Sequence, residues 1–206
     1  RNRMKVLAAI TRLRQICCDP RLAVEGWAGE SAKLEACMEL VSSAVDGGHQ
    51  ILLFSQFTSM LSLIAERLDE AQISHFTLQG STPKPVRAEL VHRFNAGEAS
   101  VFLISLKAGG TGLNLTGADI VIHYDPWWNL AAQNQATDRA YRIGQKNMVQ
   151  VYKLIAQDTI EEKILELQGA KQSLADTVTG SADGSILSMA PEELLALLEE
   201  ETGTGG

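Results

Sequence analysis

VFLISLKAGGTGLNLTGADIVIHYDPWWN, residues 101–129, begins and ends on a short apolar run and holds a glycine cluster between the two. Each run, VFLI (101–104) and IVIH (120–123), is the size of one strand. Further runs of that size stand at ILLF (51–54), HFTL (75–78) and VQVYKLI (149–155). Helical spacing of apolar residues fills most of the intervals: Ser59 to Glu70, Lys84 to Asn95 and Asn129 to Ile143. Strands that alternate with helices predict a parallel sheet covered on both faces, and the ligands of such sheets sit beyond the carboxyl ends of the strands. The fold class is therefore α/β, with its chemistry expected at the strand exits.

The flanks extend this frame. MKVLAAITRLRQICC (4–18) has helical spacing and stops at Asp19-Pro20; a glycine-rich loop, Val24 to Ser31, follows. SAKLEACMELVSSAV (31–45) is a second amphipathic helix, with Ser31 as its cap and Gly47-Gly48 as its stop. From Asp158, D-T-I-E has the form of a capping box that opens another helix. Residues 181–206 read as a flexible joint, a short acidic helix from Pro191 to Glu200 and a disordered end.

A chain of 206 residues, 45% hydrophobic, suffices for one buried core with appendages. Its net charge of -7 is uneven. Residues 158–206 carry eleven acids against Lys163 and Lys171, which leaves the rest of the chain at +2. Arg1, Arg3, Lys5, Arg12 and Arg14 form an acid-free basic run, read either as a phosphate-facing stripe or as a solvated helix face. Cys17, Cys18 and Cys37 match neither a disulfide framework nor a zinc spacing and are expected as small core residues. No apolar run approaches the length of a membrane span, and the chain reads as a soluble intracellular piece of something longer.

Gly109, Gly110 and Gly112 let the backbone turn closely and aim amides at an anion. A dinucleotide fingerprint is excluded, because Leu115 stands where its third glycine belongs; a P-loop is excluded, because no Gly-Lys-Ser/Thr occurs in the chain. In QATDRAYRIGQ (135–145), Gln135, Arg139 and Arg142 fall at i, i+4 and i+7 of one helical stripe that Gly144 closes. A surface pair between Asp138 and Arg142 is the plain alternative. A guanidinium fork suits phosphate oxygens, so the pattern suggests half of a nucleotide site.

LRQICCDPRL (13–22), SAKLE (31–35), ILLFSQFTSML (51–61), LQGSTPKPVRAELVHRFN (78–95), SLKAGGTGLNLTGADIVIHYDPWWN (105–129) and QATDRAYRIGQ (135–145) together resemble the second-lobe motifs of Swi/Snf-type, superfamily-two helicase-like DNA translocases. The resemblance implies a RecA-like three-layer domain with a central, mostly parallel sheet, preceded by a linker helix and followed by C-terminal helices. It divides the chain into a linker from a missing first lobe (1–30), the second lobe (31–175) and an acidic tail (176–206).

The same resemblance implies that Arg139 and Arg142 reach ATP phosphates across an interlobe cleft, that Gln135 supports them, and that Gly112 and Asn114 line the nucleotide side. It puts Ser55, Gln56, Thr58, Gly80, Ser81, Thr82, Ser105 and Lys107 on a double-stranded DNA backbone. Hydroxyls, amides and one lysine suit that task because they grip phosphate without reading bases. Trp127 and Trp128 become candidates for coupling the two sides. Magnesium is expected on the absent first lobe, since no adjacent Asp-Glu pair follows a strand here. The implied partners are duplex DNA, the first lobe and a DNA-bound protein target; the alternative is a non-catalytic nucleic-acid- or protein-binding α/β module. Leu130 stands where the family often has proline, Asp19 where many members have histidine, and Cys-Cys-Asp-Pro is closer to prokaryotic members.

Overall fold

The computed structural model describes residues 2–105, 113–128, 130–141, 143–175, 191–196 and 198. Five strands, β1 (Ile51–Ser55), β2 (His75–Leu78), β3 (Val101–Ser105), β4 (Ile120–His123) and β5 (Gln150–Lys153), form one sheet in the order β2-β3-β1-β4-β5, and every pairing is parallel. Seven helices accompany it among the described residues: α1 (Asn2–Cys18), α2 (Ala32–Asp46), α3 (Thr58–Glu70), α4 (Lys84–Asn95), α5 (Leu130–Asp138), α6 (Ile160–Ala175) and α7 (Pro191–Ala196). The expected sheet is present, entirely rather than mostly parallel.

Register decides which residues share the carboxyl edge. β1 lies against β3 with Ser55 opposite Ser105, and against β4 with Phe54 opposite His123, so the last residues of three central strands stand within one residue of each other. Alternate residues face opposite ways along a strand. Ile51, Leu53, Leu103 and Ile122 pack with Met38 and Val41 of α2 and with Leu61 and Ile64 of α3. Leu52, Phe54, Phe102 and Val121 pack on the other side with Phe94 of α4 and Ala136 of α5. A third cluster joins Ile10 of α1 to Ile160 and Ile164 of α6. Cys18 and Cys37 lie in the first core as free thiols, while Cys17 is half-buried.

The helix starts follow local chemistry. The Ser31 hydroxyl accepts the Leu34 N–H at 3.3 Å and donates to the Cys18 carbonyl at 3.0 Å, which caps α2 and ties its start to the end of α1. Asp19 caps a short 3₁₀ turn, Pro20–Leu22, by accepting the Arg21 N–H at 2.9 Å. Two boundaries depart from the sequence reading, and the expected end of the last helix, Glu200, lies outside the described residues. Asp158 does not open α6; it sits outside the helix in left-handed backbone (φ 56°), and the Thr159 hydroxyl accepts the Glu161 N–H instead. The terminal helix is described only to Ala196. Above all, α5 stops at Asp138 rather than Ile143. The Arg139 carbonyl accepts the Leu115 N–H from across the sheet edge, and the Gln145 side chain takes the Ala140 carbonyl, so the helical hydrogen-bond ladder is diverted there.

Lys33, in the first turn of α2, fastens several elements together. Its ammonium is bonded to the Glu161 carboxylate of α6 and donates to the carbonyls of Tyr124 (3.0 Å) and Leu154 (3.2 Å) just past β4 and β5. Glu161 also accepts the Ala156 N–H at 2.8 Å. Both side chains are nearly inaccessible to water. A buried pair of this kind adds little over an apolar one, but removal of one partner strands the other charge. Lys33→Met and Glu161→Gln are each predicted to destabilise the domain by about 3–5 kcal/mol in urea titrations, and Lys33→Met/Glu161→Leu to lose much less than the two losses combined.

Candidate functional site

The loop leaving β1 is held from within. Asp125, two residues past β4, is fully buried; it accepts the Ser55 hydroxyl at 2.5 Å and the Gln56 N–H at 3.2 Å. Burial raises the Asp125 pKa above the ordinary carboxylate range, against the pull of these bonds and of the Arg14 charge. The Ser55 hydroxyl also accepts the Phe57 N–H at 3.1 Å. Both ends of the Gln56 side-chain amide are engaged, with Arg14 donating to its oxygen and its nitrogen donating to the Pro126 carbonyl at 3.2 Å. Of the three expected backbone-gripping residues here, only Thr58 has an exposed side chain.

After β2, Gly80 and Ser81 are exposed and Thr82 closes the turn, its hydroxyl accepting the Gln79 N–H at 3.0 Å. Arg87 of α4 shapes the same loop, donating to the carbonyls of Thr82 (2.8 Å), Gly80 (3.0 Å) and Gln79 (3.3 Å). Three carbonyls turned toward one guanidinium leave the loop's small residues on the outside. Ser105 ends β3 as a buried residue beside Ser55. Lys107, Gly112 and Arg142 lie outside the described residues.

On the side that the family resemblance gives to the nucleotide, hydrogen bonds join the residues after the glycine loop to the turn that carries Arg139. Asn114 is exposed, and its carbonyl accepts the Asn95 amide at 2.8 Å while Asn95 also takes the Gly117 N–H at 3.0 Å. One residue on, Leu115 N–H reaches the Arg139 carbonyl at 3.1 Å. The Gln145 amide donates to the carbonyls of Ala118 (2.7 Å), Ala140 (2.8 Å) and Thr116 (3.1 Å). Arg139 itself is 4% exposed, one residue beyond α5, whereas Gln135 faces solvent. The stripe foreseen from a continuous helix is thus interrupted before its second member.

Between the two sides stands His123, the last residue of β4. Its Nε2 meets the Thr137 hydroxyl of α5 at 2.9 Å, its ring stacks on Phe54 at 5.5 Å, and Trp127 meets it edge-on at 5.7 Å. Burial lowers its pKa from 6.5 to about 4. Trp127 is a core residue; its backbone N–H donates to the Gln133 side chain at 3.2 Å and its carbonyl accepts from Gln168. Trp128 is only partly buried, with Arg14 over its ring. Sequence reading missed Asp125, Gln133, Gln145, His123 and Arg87 as site-shaping residues. Their one visible signal was position, since all but Arg87 follow a strand end or flank the arginine turn.

Such an edge can hold a phosphate-bearing ligand on neutral donors and exposed hydroxyls, and can carry a guanidinium on a braced turn. No group of three metal-ligating side chains occurs among the described residues.

Residues 32–144 match the helicase conserved C-terminal domain family. An uncharacterized ATP-dependent helicase of Mycoplasma pneumoniae is 40% identical over 200 residues, covering 97% of this chain and 19% of that protein. The solved SWI2/SNF2 ATPase C-terminal domain of Sulfolobus solfataricus is 33% identical with a TM-score of 0.73, over 95% of this chain and 81% of that one. The SWI2/SNF2 ATPase core of the same organism, solved in complex with dsDNA, is 36% identical with a TM-score of 0.76, over 95% and 42%. The chain spans about one fifth of the length of the curated relatives it matches first.

His123 yields a pH prediction. Its folded pKa lies below its unfolded value, so the stability it contributes is present above pH 6.5 and is lost as pH falls toward 4. Between pH 7 and pH 4 the wild type is predicted to lose about 3 kcal/mol more than His123→Gln in urea titrations. Equal losses in the two proteins would contradict the assignment.

Proposed function

We propose a function on one premise: the chain belongs to the helicase conserved C-terminal domain family, in its SWI2/SNF2 ATPase branch. It is the second RecA-like lobe of an ATP-dependent double-stranded DNA translocase. Residues 1–30 serve as the linker from a first lobe, residues 31–175 as the lobe and residues 176–206 as an acidic tail. The first lobe holds ATP with its magnesium; this chain brings Arg139 and Arg142 to the phosphates, with Gln135 in support and Gly112 and Asn114 along the nucleotide side. The duplex backbone is gripped at the exits of β1, β2 and β3, by Thr58, Gly80, Ser81, Thr82 and Lys107, with Ser55, Gln56 and Ser105 setting the height of those exits. Such a protein works where DNA is, in a bacterial nucleoid or a eukaryotic nucleus.

The observation that supports this reading is the bond from Leu115 N–H to the Arg139 carbonyl, which ties the residues after the glycine loop to the turn that carries Arg139. A nucleotide that draws in one draws in the other, while the hydroxyl-bearing exits stand on the same sheet edge. ATP supplies the phosphoryl group, and the arginines neutralise charge that develops on it during transfer. Cleft closure and reopening then alternate the grip on DNA.

In the full-length parent protein, Arg139→Ala and Arg142→Ala are predicted to lower kcat for DNA-stimulated ATP hydrolysis by roughly 10³-fold, with much smaller changes in ATP affinity. The present chain alone should not turn over ATP. Near-wild-type turnover in both variants, or vigorous hydrolysis by the isolated chain, would contradict the proposal.

A further inference from the structure

Arg14 belongs to the basic run that the sequence offered to phosphate or to solvent, yet it does neither. It projects from the last turns of α1 into the lobe and is 6% exposed. One terminal nitrogen serves both the Gln56 side-chain oxygen and, at 3.4 Å, the Pro126 carbonyl. The guanidinium carbon lies 5.4 Å from the ring centres of both Phe57 and Trp128. Among the described residues its Nε has no hydrogen-bond partner, and no carboxylate pairs with it within 4 Å.

A buried cation on neutral acceptors is a poor way to stabilise a fold, because an unbranched apolar side chain of similar length would fill the gap without desolvating a charge. What a methionine could not do is bind two loops at once. Gln56 and Phe57 lie on the exit of β1; Pro126 and Trp128 lie on the exit of β4. Asp125 already fixes the backbone of Gln56, and Arg14 holds the oxygen end of its side chain while the Pro126 carbonyl takes the nitrogen end.

We propose that Arg14 is a positioning residue through which the helix ahead of the lobe sets the relative geometry of the β1 and β4 exit loops, and with it the grip on duplex DNA. The proposal rests on the translocase reading above. A tilt of α1 during cleft closure is carried by a rigid planar group to both loops together, which gives a physical route from the linker to the DNA face.

The test uses the full-length parent. Arg14→Met is expected to keep its DNA-free ATPase rate and its KM for ATP, with only a modest fall in melting temperature as Gln56 and Pro126 lose a donor and Asp125 a neighbouring cation. The duplex concentration that half-saturates ATPase stimulation should rise roughly tenfold, the worth of one hydrogen bond to a charged group. Arg14→Lys, with charge but neither fork nor stacking plane, should fall between wild type and Arg14→Met. Arg14→Met combined with Gln56→Met should be about as impaired as the more impaired single variant, because both break the same Arg14–Gln56–Pro126 cluster. Unchanged half-saturation in both Arg14 variants would overturn the proposal, as would additive effects in the double variant. A fall in melting temperature, basal rate and stimulation together would assign Arg14 to packing alone and overturn it too. A wild-type parent without DNA-stimulated turnover would instead overturn the functional reading, and the proposal with it.

Discussion

Asp125 is a carboxylate with no route to water at the edge of a parallel sheet, and the arrangement of that edge follows from where its bonds go. A buried acid is tolerated when its oxygens find donors, and the donors here are the Ser55 hydroxyl and the Gln56 N–H on the neighbouring strand exit. Two central strands are thereby locked at the same height just where they release their loops. Gln133 and Gln168 hold the next residues of the β4 loop from α5 and α6, and Lys33 grips the Tyr124 carbonyl from α2. The loop is thus fixed from three helices, and Pro126, Trp127 and Trp128 inherit their places from that framework.

The α/β fold was legible because its central strands, β1, β3 and β4, are buried on both faces and so read as continuous apolar runs. β1, β2 and β4 fall on ILLF, HFTL and IVIH, with Ser55 added to β1, because nothing local competes with the pattern there. The end of α5 was illegible for the opposite reason. LAAQNQATDRAYRI has no proline or glycine before Gly144 to stop a helix, and what stops it is a hydrogen bond to Leu115, remote in sequence. Local propensity has no access to such a partner. Asp158 illustrates a smaller loss: two adjacent capping residues compete, and Thr159 has the position while Glu161, the acid of the box, is drawn into the Lys33 pair.

The site was legible as a set of places more than as a set of side chains. β1 and β3 end on Ser55 and Ser105 and β2 one residue before Gln79-Gly80, as the motifs imply, whereas Lys107, Gly112 and Arg142 lie outside the described residues. Which atoms face outward depends on burial, which the sequence does not encode locally. Ser55, Ser105 and Gln56 look like groups that offer hydrogen bonds to a ligand, yet the first two are buried and the third has its amide engaged inside. Arg87 and Arg14 look like surface charges, yet they organise loops. Polar residues at these exits therefore divide into some that present the surface and others that shape it, and the exposed Thr58, Gly80 and Ser81 belong to the first kind.

The central claim is that this lobe is half of a motor that tracks along intact duplex DNA. The most direct measurement is displacement of a third strand from a triplex by the full-length parent, with the underlying duplex left paired. The account predicts ATP-dependent displacement that starts later as the duplex lead-in lengthens, falls steeply with salt as backbone contacts do, and is insensitive to base sequence. Release of single strands from the duplex, or displacement that proceeds equally without ATP, would contradict it.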